Sequence, residues 1–162
     1  MAYQTWLKLK KIIRTFVTLI GVIAAAIGIV QYFESKPSDD LTGQWGLNLI
    51  IENTAYNPYQ GLEVGYQVYL NQVGDKVTGT GEKITENHKD LPISQRVKID
   101  MQGRLVGAQL DLLFTLYGHK RDTIGQFRLT SIGDDELEGT FSTTGAKASG
   151  SVRLTRTVLI QN

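Results

Sequence analysis

The pattern of apolar and polar positions changes once along the chain, near residue 40. Before that point, the 19 residues between Arg14 and Glu34 carry no charged side chain. A helix rises about 1.5 Å per residue, so roughly 20 apolar residues cross the hydrocarbon core of a bilayer. After that point, apolar and polar residues alternate with a period of two, which is typical of half-buried β-strands. We therefore predict a membrane anchor at residues 1–34, a linker at 35–40, a β-domain at 41–158 and a tail at 159–162.

The alternating part of the chain predicts eight strands separated by turn residues. The turns are indicated by segments such as Val73-Gly74-Asp75, Gln102-Gly103 and Gly133-Asp134-Asp135. Eight evenly spaced strands favour an all-β, up-and-down antiparallel barrel, which leaves no unpaired edge; a sandwich of two sheets is the alternative. The predicted strands are 41–52, 61–72, 76–84, 95–102, 107–117, 122–131, 136–143 and 148–158.

One face of each predicted strand is apolar and is expected to line the barrel interior. Five glycines fall on this face. Glycine permits a sharp bend of a strand at a barrel corner, and it also leaves room in the lumen for a small ligand, so both interpretations stay open. These glycines are Gly79, Gly81, Gly125, Gly139 and Gly150.

A single charged residue, Arg156, also falls on the apolar face. An unpaired guanidinium inside the barrel would be costly. In a closed barrel the last strand pairs with the first, which begins at Gly43-Gln44-Trp45. We therefore predict that Arg156 stacks on the Trp45 ring at one rim of the barrel.

The uncharged N-terminal segment has two other interpretations. The basic residues Lys8–Arg14, the apolar run and Ala24-Ala25-Ala26 have the layout of a cleaved signal peptide, although the run continues to Val30. A buried core helix is disfavoured because the segment lacks a polar face. As an anchor, the segment carries small residues on one helical stripe, which predicts self-association in lipid. The stripe consists of Gly21, Ala24, Ala25 and Gly28.

Composition narrows the possible chemistry. Lys and Arg number 17 and Asp and Glu number 16, giving a net charge of +1, which argues against binding DNA or RNA through bulk positive charge. The chain has no Cys, and His88 and His119 are its two imidazoles. Thiolate chemistry is thus excluded, and no nucleophile motif, phosphate loop or metal-ligand spacing is found. We predict that the protein is not an enzyme and takes no cofactor or metal.

Short motifs spread over nearly the whole chain carry a resemblance to known proteins. Gly43-x-Trp45 with Arg156 on the final strand resembles the pattern of lipocalins and fatty-acid-binding proteins. Together with the N-terminal membrane segment, the whole layout is similar to the transmembrane β-barrel effectors of bacterial cyclic-nucleotide antiphage defence, of the CBASS and Panoptes types. The further motifs are Leu41-Thr42-Gly43, Val68-Tyr69-Leu70-Asn71-Gln72, Lys76-Val77-Thr78-Gly79-x-Gly81-Glu82, Asp135-Glu136-Leu137-Glu138-Gly139-Thr140-Phe141 and Gly150-x-Val152-Arg153-Leu154.

The resemblance implies a function. In that family a lipocalin-like barrel binds a cyclic dinucleotide made by a partner synthase, and the membrane segments assemble into homo-oligomers that disrupt the inner membrane. The ligand triggers assembly in the CBASS type and restrains the effector in the Panoptes type. The alternative function is an extracytoplasmic, lipocalin-like carrier of a small apolar ligand.

The two functions place the barrel on opposite sides of the membrane. The resemblance implies a cytoplasmic barrel on an anchor with one or two spans; the family usually has two membrane helices, and this chain shows one clear span. The basic residues before the apolar segment predict an extracytoplasmic barrel by the positive-inside rule. Both orientations stay open.

A cyclic dinucleotide carries two phosphates and two bases, so its site requires cations, hydroxyl donors and aromatic faces. Loops and strand ends opposite Trp45 supply such groups. We predict Lys83, Arg96, Tyr117, Arg121 and Thr143 as ligand contacts. Of these, Tyr117 has the outward parity of its strand and needs a bend at Gly118 to face inward. Further candidates at the same end are Tyr56, Tyr59, His88, His119, Lys120, Thr144 and Lys147.

Overall fold

The computed structural model describes residues 40–157. The predicted anchor, its stripe Gly21, Ala24, Ala25 and Gly28, the linker before Asp40 and the tail lie outside these residues. Within residues 40–157, no helix has the length and apolarity needed to cross a bilayer. The described strands are β1 (Gly43–Asn53), β2 (Glu63–Val73), β3 (Lys76–Glu86), β4 (Lys89–Asp90), β5 (Lys98–Val106), β6 (Gln109–Tyr117), β7 (Asp122–Gly133), β8 (Glu136–Thr143) and β9 (Ser149–Arg156).

Eight of these strands form a closed antiparallel barrel. The sheet runs β2-β1-β9-β8-β7-β6-β5-β3, and β2 pairs with β3 to close it. The two-residue strand β4 is a small addition that pairs with the end of β3. The predicted barrel is therefore confirmed. The two-sheet sandwich is wrong, because the first strand pairs with the last from Trp45 to Asn53.

Alternating strand directions give the barrel two different ends. The rim end carries Trp45, Arg156 and the turns that follow β2, β5 and β7. The mouth end is formed by the loops 54–62, 87–97, 118–121 and 144–148. Two single-turn 3-10 segments, Asn57–Tyr59 and Ile93–Gln95, and a turn with non-helical backbone angles at Gly145–Lys147 shape these mouth loops.

The largest error in the predicted strands concerns β5. Gln102-Gly103 was expected to be a turn, but β5 continues through it, and Gly103 pairs with Leu112 of β6. A Cβ at Gly103 would lie 1.8 Å from the Asp111 carbonyl oxygen, so glycine is needed there for the close approach of two strands. The turn lies instead at Gly107, whose φ of +60° is favourable for glycine.

The apolar face of the strands forms one continuous core, as predicted. The fully buried large side chains are Trp45, Phe127, Leu47, Leu70, Ile99, Leu110, Leu112, Leu129, Leu137, Leu154, Val68 and Val77. A bulge between Gly65 and Tyr66 shifts the register of β2 against β3. Val64 and Tyr66, on either side of Gly65, are both buried near the mouth end.

The interior glycines serve close packing and do not create the cavity described below. A Cβ at Gly125 would lie 2.2 Å from Cζ of Phe114, whose ring therefore covers that space. A Cβ at Gly139 would lie 1.8 Å from a carbonyl oxygen of the neighbouring strand, and a Cβ at Gly150 would lie 1.9 Å from one. Gly79 and Gly81 are crowded in the same way by Leu70, Met101, Val68 and the Gln67 carbonyl. The idea that these glycines make room for a ligand is therefore wrong, because neighbouring strands and side chains occupy the space, and the bending interpretation stays a prediction.

The predicted stacking of Arg156 on Trp45 is confirmed. The guanidinium lies over the indole ring, and the two residues are direct partners in the β1–β9 pairing. Trp45 is fully buried, and its Nε1 donates a hydrogen bond of 2.8 Å to the Leu41 carbonyl oxygen. The rim end is thus closed by a packed tryptophan under an arginine.

Candidate ligand cavity

A cavity of about 610 Å³ occupies the mouth end of the barrel interior. Its walls come from seven of the eight barrel strands, β1–β3 and β5–β8, and its deep part is apolar. The rings of Phe114 and Phe127 stack there, with centroids 4.3 Å apart and an interplanar angle of 26°. The other apolar side chains that line it are Leu49, Ile51, Leu62, Val64, Ile99, Leu116 and Phe141. The deep part therefore suits an apolar or aromatic group.

Polar and cationic side chains surround the opening of this cavity. Lys83 comes from the end of β3, Lys120 and Arg121 from the β6–β7 loop, and Thr143 from the end of β8. Tyr59, Thr123 and the carboxylate of Glu86 also line the cavity. Cations at the mouth of an apolar cavity attract anionic ligands, because the low-dielectric walls strengthen the field. Three of the five predicted contacts, Lys83, Arg121 and Thr143, are thus brought together.

One of these cations is partly neutralised. Lys83 forms an ion pair with Glu86 on the same strand, and the Lys83 side chain is 18% exposed. Lys120 and Arg121 form no ion pair with the described residues. The uncompensated positive charge of the mouth therefore lies mainly on the β6–β7 loop.

Tyr66 is a cavity residue that the sequence analysis assigned only to the apolar face. Its side chain lines the cavity opposite Lys83 in the β2–β3 pairing, and the residue is 5% exposed. Burial raises the pKa of Tyr66, and the Glu86 carboxylate raises it further. The alternation of apolar and polar residues predicts that a tyrosine or a leucine at this position faces the barrel interior. It does not predict that the tyrosine hydroxyl is available to a ligand.

The β8–β9 loop shapes one side of the mouth. Ala146 and Lys147 have φ values of +50° and +49°, which residues other than glycine rarely adopt. The Ala146 carbonyl oxygen accepts hydrogen bonds from Ala55 N at 2.7 Å and from the Thr54 hydroxyl at 3.2 Å. The Thr143 hydroxyl accepts a hydrogen bond of 2.8 Å from Gly145 N. Thr143 therefore holds the loop as well as lining the cavity.

Two predicted contacts, Arg96 and Tyr117, do not line the cavity. Arg96 lies outside the barrel, where its Nη1 is 3.6 Å from Glu82 Oε2 and its Nε donates to the Leu91 carbonyl oxygen at 3.4 Å. The physical reason is that the crossing from β4 to β5, residues Leu91–Val97, is hydrogen-bonded to the end of β3: Leu91 N donates to the Ile84 carbonyl oxygen and Lys83 N donates to the Val97 carbonyl oxygen. Arg96 stabilises that crossing and is not placed to meet an occupant of the lumen.

Tyr117 keeps the outward parity of β6, and no bend turns it inward. Lys98 Nζ lies 5.2 Å from the centroid of its ring on the outer wall. Asp100 raises the pKa of the Tyr117 hydroxyl through a hydrogen bond and its negative charge. A hydrogen bond from Lys98 lowers the pKa of Asp100, and a hydrogen bond from Tyr117 lowers it to a smaller extent. The predicted convergence of Tyr117 on the cavity is therefore wrong.

A wider groove of about 750 Å³ crosses the outer wall over β1, β8 and β9. Its charged groups are already paired: Arg153 contacts Glu136 and Glu138, and His88 Nε2 lies 2.6 Å from Glu63 Oε2. Among residues 40–157, no group of acidic and histidine side chains is placed to hold a metal ion. The interior cavity is therefore the stronger candidate site.

Comparison with known proteins supports the fold. No protein-family model matches this sequence, and no match was found among curated proteins. A redesigned β-barrel, mFAP1, bound to DFHBI has a TM-score of 0.55 at 13% identity, covering 72% of this chain and 94% of that chain. A second redesigned barrel, mFAP0, bound to DFHBI has a TM-score of 0.53 at 13% identity, covering 72% and 98%.

A de novo designed fluorescence-activating β-barrel is similar to the same extent. Its TM-score is 0.54 at 10% identity, and the match covers 72% of this chain and 93% of that chain. At such low identities, the similarity establishes a shared barrel architecture, and function has to be argued from the site.

Proposed function

We propose that this chain is a membrane-anchored effector of antiphage defence whose barrel binds a cyclic dinucleotide in the interior cavity. The observation that carries the proposal is the combination of an aromatic, apolar lumen with Lys120 and Arg121 at its opening, which form no ion pair among residues 40–157. Ligand cavities of about 300–1,000 Å³ hold drug-sized molecules, and this one lies within that range. The sequence resemblance supplies the biological setting.

The cavity offers complementary groups for each part of such a ligand. A base in the deep part of the cavity would pack against the stacked pair of Phe114 and Phe127. A phosphate at the opening would meet Lys120 and Arg121, and a guanidinium can bind phosphate oxygens through two parallel hydrogen bonds. The ligand would then lie with its apolar faces inside and its charges at the mouth.

Ligand binding can control the effector only if two assembly states bind the ligand with different affinity. In the proposed mechanism the N-terminal segments self-associate through the stripe of small residues and damage the inner membrane. The ligand in the barrel either favours or opposes that assembly. The cavity is compatible with either effect, because binding of a ligand in the barrel does not determine whether that ligand favours or opposes assembly.

A second candidate function is carriage of a small apolar ligand by an extracytoplasmic barrel. The observation that favours it is the largely apolar lining of the deep cavity. Designed barrels of similar fold are also found bound to DFHBI. This function needs no cations at the mouth, so the charge of Lys120 and Arg121 distinguishes the two candidates.

Calorimetric titration of the full chain in detergent tests the proposal. Cyclic di-AMP and cyclic di-GMP are the probes, and 1-hexadecanol, which carries no charge, is the probe for the carrier function. We expect one of the dinucleotides to bind, and Arg121→Ala to weaken that binding about tenfold or more through loss of a charged hydrogen bond. Arg104→Ala is the control, since Arg104 lies on the outer wall near Asp75.

Binding of 1-hexadecanol without binding of either dinucleotide would favour the carrier. A reporter fused after Asn162 gives an independent answer, because activity only in the periplasm contradicts a cytoplasmic sensor.

A further inference from the structure

Tyr66 differs from the other polar side chains that line the cavity in the described part of the chain, because it alone is buried. Its hydroxyl has no hydrogen-bond partner among residues 40–157. The hydroxyl opens onto the cavity and is not a buried unpaired atom, so an occupant that displaces water from it has to supply the hydrogen bond instead. The nearby polar groups do not fill this role, since Lys83 and Glu86 are paired with each other.

The surroundings of Tyr66 define what an occupant can offer. Apolar atoms and stacked rings dominate the deep part of the cavity, so an occupant gains contact area there from a flat, aromatic group. The Tyr66 hydroxyl is neutral at ordinary pH, because burial and the Glu86 carboxylate both raise its pKa. A neutral phenol can donate one hydrogen bond and accept another.

We propose that the Tyr66 hydroxyl is the specificity-determining hydrogen-bonding group of this cavity, and that it recognises the polar edge of an aromatic ring held in the lumen. This inference deepens the proposed function: the ring would be one base of the dinucleotide, read at its edge by Tyr66. The phosphates would remain at the mouth with Lys120 and Arg121. Tyr66 then selects among bases, while the mouth cations select for charge.

The expected selectivity follows from the difference between a ligand that can form a hydrogen bond with Tyr66 and one that cannot. An analogue that fills the cavity but lacks a hydrogen-bonding edge excludes water from the Tyr66 hydroxyl and leaves it unpaired, and sites of this kind discriminate against such analogues. Replacing Tyr66 by Phe removes the hydroxyl and keeps the ring, so the preference is lost while the shape of the cavity is retained. A tenfold preference is the size expected for one neutral hydrogen bond.

Fluorescence titration of the full chain in detergent with two related probes tests the inference. The probes are 6-hydroxy-2-naphthoate and 2-naphthoate, which share an aromatic body and a carboxylate and differ by one hydroxyl. We expect the wild-type chain to bind the hydroxylated probe about tenfold more tightly. Tyr66→Phe is expected to abolish that difference. Tyr69→Phe, on the outer wall of the same strand and 54% exposed, is the matched control and should retain it.

The outcomes separate this inference from the proposed function when cyclic di-AMP and cyclic di-GMP are titrated in parallel. An undiminished preference in Tyr66→Phe, or no preference in the wild type, overturns the role of Tyr66. Loss of the preference in Tyr66→Phe without binding of either dinucleotide supports the role of Tyr66 and counts against the dinucleotide sensor. Circular dichroism of both variants confirms that the barrel is folded.

Discussion

The guanidinium of Arg156 lies over the indole of Trp45, with Cζ 4.4 Å from the ring centroid. The same guanidinium donates hydrogen bonds to the carbonyl oxygens of Asp40 and Thr42 at 2.7 and 3.0 Å, and to Asp135 Oδ1 at 2.8 Å. Arg156 therefore connects the last strand, the first strand, the turn after β7 and the segment that enters the barrel. It completes the closure of the rim end.

We expect Arg156→Ala to lower the free energy of unfolding by about 2 kcal/mol, from loss of the cation–π contact and of several hydrogen bonds. Arg156→Lys should recover only part of this, because an ammonium group cannot reproduce the planar fork. Arg128→Ala, on the exposed outer face of β7, is the control. Urea unfolding followed by circular dichroism measures the difference, and equal stability of the two alanine variants would contradict this role.

Gly150 provides a test of close packing between strands. A Cβ there would lie 1.9 Å from the Ile50 carbonyl oxygen and 2.9 Å from Glu52 N, so the β1–β9 pairing has to shift. We expect Gly150→Ala to destabilise the barrel by about 1–3 kcal/mol. Gly133→Ala is the matched control, because nothing lies within 4 Å of its added Cβ. If thermal unfolding shows the same midpoint for both variants, Gly150 has no packing role.

The position of Tyr66 predicts a pH dependence of stability. Its pKa is raised on folding by burial, so the folded state keeps the proton at a pH where the unfolded chain has lost it. The resulting stabilisation is fully present below about pH 10, the ordinary pKa of tyrosine, and is lost as the pH rises through the folded-state pKa. Urea unfolding at pH 8 to 11 should therefore show a steeper loss for wild type than for Tyr66→Phe. Parallel curves would show that Tyr66 titrates normally.

Period-two alternation was sufficient to predict the barrel because every strand buries one face. It gave the set of eight long strands and nearly all of the core. It failed where backbone geometry depends on the neighbouring strand: Gly103 has the composition of a turn but lies within β5 because two strands approach closely there. The bulge at Gly65 and Tyr66 has no local sequence signal either.

The candidate site was predictable only in part. Lys83, Arg121 and Thr143 were found because strand direction determines which end of the barrel they occupy. The alternation of inward and outward side chains along the strand had already predicted that Tyr117 faces outward. The bend at Gly118 that was assumed to turn it inward is not present. Tyr66 was overlooked because the sequence pattern does not show whether its hydroxyl forms a hydrogen bond within the described barrel. That property depends on which side chains pack around it.

The predicted stripe in the N-terminal segment gives a functional test. We expect Gly28→Leu to abolish membrane damage, because a bulky side chain prevents close approach of the helices in lipid. Ligand binding by the barrel should be unchanged. Ala26→Leu is the control, since position 26 lies off the stripe on a helix of 3.6 residues per turn. Dye release from cells expressing each variant measures the damage, and equal toxicity of both variants would refute the role of the stripe.

The most direct test of the account is to map where a cyclic dinucleotide binds. Backbone amide resonances of the full chain, labelled with ¹⁵N in detergent, are recorded during titration with the dinucleotide that binds by calorimetry. We predict shifts concentrated at the cavity, at Tyr66, Arg121 and Thr143, with Gly103 and Arg104 near the rim end unchanged. Shifts confined to the outer wall, or no shifts with any dinucleotide, would contradict a ligand held inside the barrel.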